Sequence, residues 1–91
     1  MRTYVLVNTE IGREASVAKA VRHFPNVTGV DVLTGAYDVV VEAEAEHRGN
    51  LIHEVEDRIR ATPGVIRIVA SLAASHEQVW EMGREPAFAA G

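Results

Sequence analysis

Ninety-one residues and 9.9 kDa hold one domain and leave no room for a second hydrophobic core. Apolar residues make up 47% and charged residues 24%, the balance of a globular chain and not of a disordered one. The chain has no cysteine, which excludes disulfides, thiolate metal sites, iron–sulfur clusters and cysteine nucleophiles together.

Thirteen acidic residues against nine basic ones give a net charge of −4. Proteins that bind nucleic acid neutralise it with a clustered basic face. Here the eight arginines and Lys19 are scattered, many of them beside carboxylates, so direct nucleic-acid binding is not expected. No apolar run approaches the roughly 20 residues of a membrane span. The opening Met1-Arg2-Thr3-Tyr4-Val5 leads straight into a patterned segment and does not read as a signal peptide. The expected location is cytoplasmic. The preference for arginine over lysine, with abundant alanine and valine, suits a GC-rich bacterial genome.

The elements follow in chain order. Tyr4–Val7 is apolar and β-branched and predicts a strand. Arg13–Phe24 carries Val17, Val21 and Phe24 at helical spacing. Pro25 stops that helix, and Val27–Leu33 reads as a second strand. Thr34-Gly35-Ala36 is a short turn into a third strand, Tyr37–Ala43. Arg48–Ala61 predicts a second helix, with Leu51, Ile52, Val55 and Ile59 on one stripe and Glu54–Arg58 and Glu56–Arg60 pairs opposite. Pro63 ends it, and Val65–Ala70 is the fourth strand. Residues 1–74 thus form the domain, and 75–91 a short helical extension with a loose tail. Ser75-His76-Glu77-Gln78 fits a capping box, Gly83 closes the helix, and Trp80 is expected to pack on a dimer partner.

The order β-α-β-β-α-β is internally repeated: Phe24-Pro25-Asn26-Val27 and Thr62-Pro63-Gly64-Val65 share one plan. Two right-handed βαβ crossovers interleave into a ferredoxin-like fold of class α+β, a four-stranded antiparallel sheet with both helices on one face. Tyr4 and Leu6 then point to one face, Val5 and Val7 to the other. Two helices cover one face only, so a bare apolar face is expected to pack against a second copy, giving an obligate homodimer.

Chemistry-bearing residues are sparse. His23, His47, His53 and His76 have no ligand spacing, and no metal site or cofactor is expected. Ser71 and Ser75 lie in no nucleophile context, the glycines form no phosphate loop, and Glu42, Glu44 and Glu46 read as an exposed face. No catalytic residue emerges, and the chain is not expected to be an enzyme. The turn Thr34-Gly35-Ala36-Tyr37-Asp38 differs: it concentrates a hydroxyl, a glycine N–H, a phenol and a carboxylate, the groups a small zwitterion needs. The same residues would also serve a purely structural turn, with Asp38 satisfying backbone amides and Tyr37 in the core.

On these residues the chain resembles the effector-binding (RAM) domain of the Lrp/AsnC feast/famine regulators. The likeness runs over about residues 2 to 73. It rests on the Tyr-Val-Leu-Val opening, Phe24-Pro25-Asn26-Val27, the Thr-Gly-x-Tyr-Asp turn and Thr62-Pro63-Gly64-Val65. The resemblance implies a dimer with sheets face to face, rings of dimers, and an amino-acid effector bound near the turn by Thr34, Gly35, Tyr37 and Asp38. Family regulators carry a helix-turn-helix module ahead of this domain. The chain resembles the stand-alone variety, which does not read DNA by itself, and full-length regulators of the family are candidate partners for it. Where the family often places threonines on the fourth strand, Ile68 and Ala70 stand here, which points to an aliphatic or aromatic amino acid.

Three other classes share the topology. A cofactor-free monooxygenase-type enzyme needs polar residues facing inward from the sheet, and only Asn8 and Arg67 are candidates. An ACT-like domain uses a glycine turn after the first strand, for which Glu10-Ile11-Gly12 is a poor match. A purely structural oligomer is the fourth reading.

Overall fold

A computed structural model of the chain describes residues 2–44 and 48–71, with residues 48–52 and 71 described by backbone alone. The elements are β1 (Arg2–Thr9), α1 (Glu14–Val21), β2 (Val27–Val32), β3 (Val39–Glu44), α2 (Arg48–Arg60) and β4 (Val65–Ser71). All strand pairs are antiparallel and the order across the sheet is β2-β3-β1-β4. This is the expected ferredoxin-like plan. The tail from Ser75 to Gly91, with its capping box, Gly83 and Trp80, lies outside the described residues, as do Glu46, His47 and the side chains of Leu51 and Ile52.

The core has two halves. On one face Val5, Val7, Val39, Val41, Ala43 and Val30 pack with Val17, Ala18 and Val21 of α1 and Val55 and Ile59 of α2. Both helices therefore share that face. On the other face Tyr4, Leu6, Leu33 and Val40 form a second cluster, with Tyr37 and Val69 packed against it. The alternation along Tyr4–Val7 divides the faces as strand geometry dictates.

Contrary to expectation, the helix-free face is not bare at its centre. Tyr4, Leu6 and Val40 are 2%, 0% and 0% exposed within the single chain, so the centre of the helix-free face is already covered. Leu33 and Tyr37 contribute by folding from the β2–β3 connection onto it.

The two proline turns repeat closely. Val27 N–H donates to Phe24 O (3.3 Å) and Val65 N–H to Thr62 O (3.2 Å), each bond spanning a proline. The residues after the prolines, Asn26 (φ 70°) and Gly64 (φ 97°), both take left-handed backbone, the type II pattern of proline followed by asparagine or glycine. At Gly64 a Cβ would stand 3.1 Å from both Arg13 Cβ and Val17 Cγ2, so the turn closes on α1 only without a side chain.

Several boundaries differ from expectation. α1 ends at Val21 and not Phe24, because His23 N–H and Phe24 N–H turn back to Ala20 O and Val21 O in a tightened last turn. On α2, Arg60 pairs with Glu56 (3.9 Å) and Asp57 (3.6 Å), while Glu54–Arg58 is not among the ion pairs of the described residues. β2 stops at Val32 and β3 starts at Val39, so the short three-residue turn is a six-residue connection, 33–38. Between Asn8 and Thr9 the β1–β4 register shifts: Asn8 faces Arg67, but Thr9 faces Val65. The extra residue, Ile66, is pushed outward and is 63% exposed.

Candidate functional site

The β2–β3 connection is anchored at its base and open at its tip. Leu33 N–H donates to Asp38 O (2.8 Å), and Asp38 N–H donates to Val7 O (2.9 Å), so the connection is sewn to β1. Thr9 N–H donates to Asp38 Oδ2 (2.8 Å), and the carboxylate thereby replaces a missing ladder partner at the end of β1. Among the described residues Asp38 Oδ1 has no partner. Thr34 and Gly35 are exposed, and Gly35 has φ 141°, a conformation that glycine adopts without strain. Tyr37 is half-buried and packs inward against the Tyr4–Leu6–Leu33–Val40 cluster.

The four predicted residues therefore divide by geometry. Tyr37 and Asp38 fasten the turn, and Thr34 and Gly35 are its exposed residues. Two further residues, singled out only as inward-facing polar groups, are joined to the turn. Asn8 Nδ2 donates to Ala36 O (3.0 Å), and Arg67 Nε donates to Asn8 Oδ1 (3.0 Å). Their signal in the sequence was a polar residue breaking each of two apolar strands.

The apolar wall expected from Ile68 and Ala70 is turned the other way. Ile68 is paired with Val7 and packs with the helix-side cluster, and Ala70 is paired with Val5 on the same side. Arg67 and Val69, not Ile68 and Ala70, share the face of Tyr37. The basis for preferring an aliphatic or aromatic side chain is thereby removed.

At the far end of the helix-free face, Tyr4 lies opposite Glu42 and beside Arg2. The Tyr4 phenol, then Glu42 and Glu44, hold the Arg2 guanidinium still more firmly cationic than usual. Thr28 Oγ1 donates to Glu42 Oε1 (2.8 Å). No group of three or more histidine, aspartate or glutamate side chains that could hold a metal occurs among the described residues. No described helix is long and apolar enough to cross a membrane.

The strand order and the two helices on one face define a ferredoxin-like domain, and a family match places it among ligand-binding regulatory modules. The chain belongs to the Lrp/AsnC ligand binding domain family, whose model matches residues 2–79. Among solved structures, hypothetical protein PHS023 from Pyrococcus horikoshii has a TM-score of 0.70 and 23% identity, over 84% of this chain and 93% of that one. The protein TTHA0845 from Thermus thermophilus has a TM-score of 0.68 and 25% identity, over 81% and 95%. The transcriptional regulator NMB0573 from Neisseria meningitidis, solved as an L-Met complex, has a TM-score of 0.65 and 23% identity. That match covers 82% of this chain and 50% of the regulator. Comparison with curated proteins found no match.

Proposed function

We propose that the domain senses a free amino acid at the Thr34–Asp38 turn and transmits its presence through assembly, without catalysing a reaction. The observation that carries this reading is the turn itself: Asp38 holds one oxygen on Thr9 N–H and keeps the other available, while Thr34 and Gly35 stand exposed beside it. An ionised carboxylate suits an α-ammonium group, and a hydroxyl with a backbone amide suits an α-carboxylate. The L-Met held by the Neisseria regulator supports the ligand class.

The proposed setting is a cytoplasmic homodimer that joins into rings of dimers and mixes with full-length Lrp/AsnC regulators, which contact DNA in its place. Sedimentation equilibrium at micromolar concentration is expected to show a dimer or a larger even assembly. A well-folded monomer as the dominant species overturns the assembly part of the proposal.

Binding is tested by thermal shift with the twenty amino acids, followed by calorimetry on wild type and Asp38→Asn. The substitution preserves shape, and its amide oxygen still accepts from Thr9 N–H, so melting is expected to change little. Affinity is expected to fall roughly ten- to a hundredfold, the loss of one charge-assisted contact worth about 1.5–3 kcal/mol. Unchanged affinity places the ligand elsewhere, and a collapse in melting temperature returns Asp38 to a structural role.

A further inference from the structure

The helix-free face carries one cation at the turn, and its placement is unusual for a solvated arginine. Arg67 projects from β4 opposite Asn8, on the face that holds Leu6, Val69 and Tyr37. Its Nε donates to Asn8 Oδ1, and the same amide donates through Nδ2 to Ala36 O inside the turn. The guanidinium is thus tied through a single side chain to the turn that the proposed effector occupies. The tie uses Nε alone. Among the described residues Asn8 is the only partner of the Arg67 side chain, and no ion pair involves it, so the two terminal nitrogens remain available as a fork. Asp38 and Arg67 are fastened to consecutive residues of β1, Thr9 and Asn8. An anion and a cation therefore flank the end of one strand.

From this juxtaposition we infer that Arg67 binds the α-carboxylate of the effector, supplementing Thr34 and the Gly35 N–H, and that Asn8 is the residue that positions it. The inference rests on the amino-acid reading above and deepens it. A planar guanidinium matches a carboxylate with two parallel N–H donors, and preorganisation by Asn8 lowers the ordering cost of the arginine side chain. Together with Asp38 it makes the site complementary to both charges of a zwitterion. A ligand lacking either charge loses a partner.

The experiment compares each of the twenty amino acids that binds with its α-carboxamide, by calorimetry at about pH 6, where both carry the ammonium group. Wild type is expected to prefer the acid over the amide. In Arg67→Gln that preference is expected to shrink by roughly tenfold to a hundredfold, with the affinity for the amide unchanged. Asn8→Ala, which leaves the guanidinium in place but unties it, is expected to reduce the same preference by a smaller factor. An acid-over-amide preference that is equal in wild type and Arg67→Gln overturns the role of Arg67. If Asp38→Asn still weakens binding in that case, the turn remains the site. If none of the twenty amino acids binds the wild-type protein, both readings fall.

Discussion

Val7→Asp is expected to abolish the folded state at neutral pH. Val7 is 0% exposed and lies in the helix-side cluster with Val17, Val21 and Ile59, between Val39 on β3 and Ile68 on β4. A carboxylate there has no cation in reach among the cluster's members, all of which are apolar. An uncompensated buried charge costs about 3–5 kcal/mol and lost packing adds to it, against a total stability of about 5–15 kcal/mol for a domain. Circular dichroism and one-dimensional NMR of the variant should show an unfolded or molten chain. Burial raises the folded-state pKa of the introduced carboxyl above its unfolded value. The destabilisation is therefore full above the folded pKa and shrinks as acid protonates the group in the folded chain. Recovery of structure on mild acidification identifies the charge, not the altered shape, as the cause. A variant that melts like wild type at neutral pH would show that Val7 does not face the core.

Leu6→Ala is expected to cost about 2–5 kcal/mol, the range for removing a large aliphatic side chain from a packed core. For a domain of this size each kcal/mol lowers the melting temperature by about 4–8 °C, so the shift is large enough to read by calorimetry. The result separates two pictures of the helix-free face. Leu6 is 0% exposed in the single chain, between Val40 and Val69. If that burial belongs to the chain, the melting point falls by the same amount at every protein concentration. If Leu6 were covered only by a second copy, the shift would depend on concentration through the dissociation equilibrium. A loss below about 1 kcal/mol would mean that Leu6 is not in a packed environment.

The order of elements was legible because each carries a local signal strong enough to survive the fold. The two Pro-x-Val turns stop the helices, and the alternation at Tyr4–Val7 divides the sheet faces as observed. The width of the β2–β3 connection was not legible. Tyr37 and Asp38 have strand-like neighbours, yet they lie in the connection, where Asp38 is held by long-range bonds to Val7 O and Thr9 N–H that no local pattern announces. The part that Leu33 and Tyr37 play on the helix-free face was not legible either, because it depends on where that connection lies. At the candidate site, Thr34, Gly35, Tyr37 and Asp38 were visible as a cluster in sequence. Asn8 and Arg67 are 28 and 59 residues from their bonding partners Ala36 and Asn8, a separation at which no local pattern speaks.

The register shift at Asn8 and Thr9 lets one strand meet two demands of opposite parity. Val65 and Ile68 both pack toward the helices, yet they are separated by an odd number of positions and would fall on opposite sides of an unbroken strand. The added residue Ile66 slips the phase of β4 by half a period. The start of the strand then feeds the helix-side core, and its middle keeps its own alternation against β1. Arg67 is the first residue after the slip, and it emerges across from Asn8 because of it. Drawn into a continuous ladder, Ile66 would force a choice: Val65 in the core, or Arg67 beside the turn, but not both.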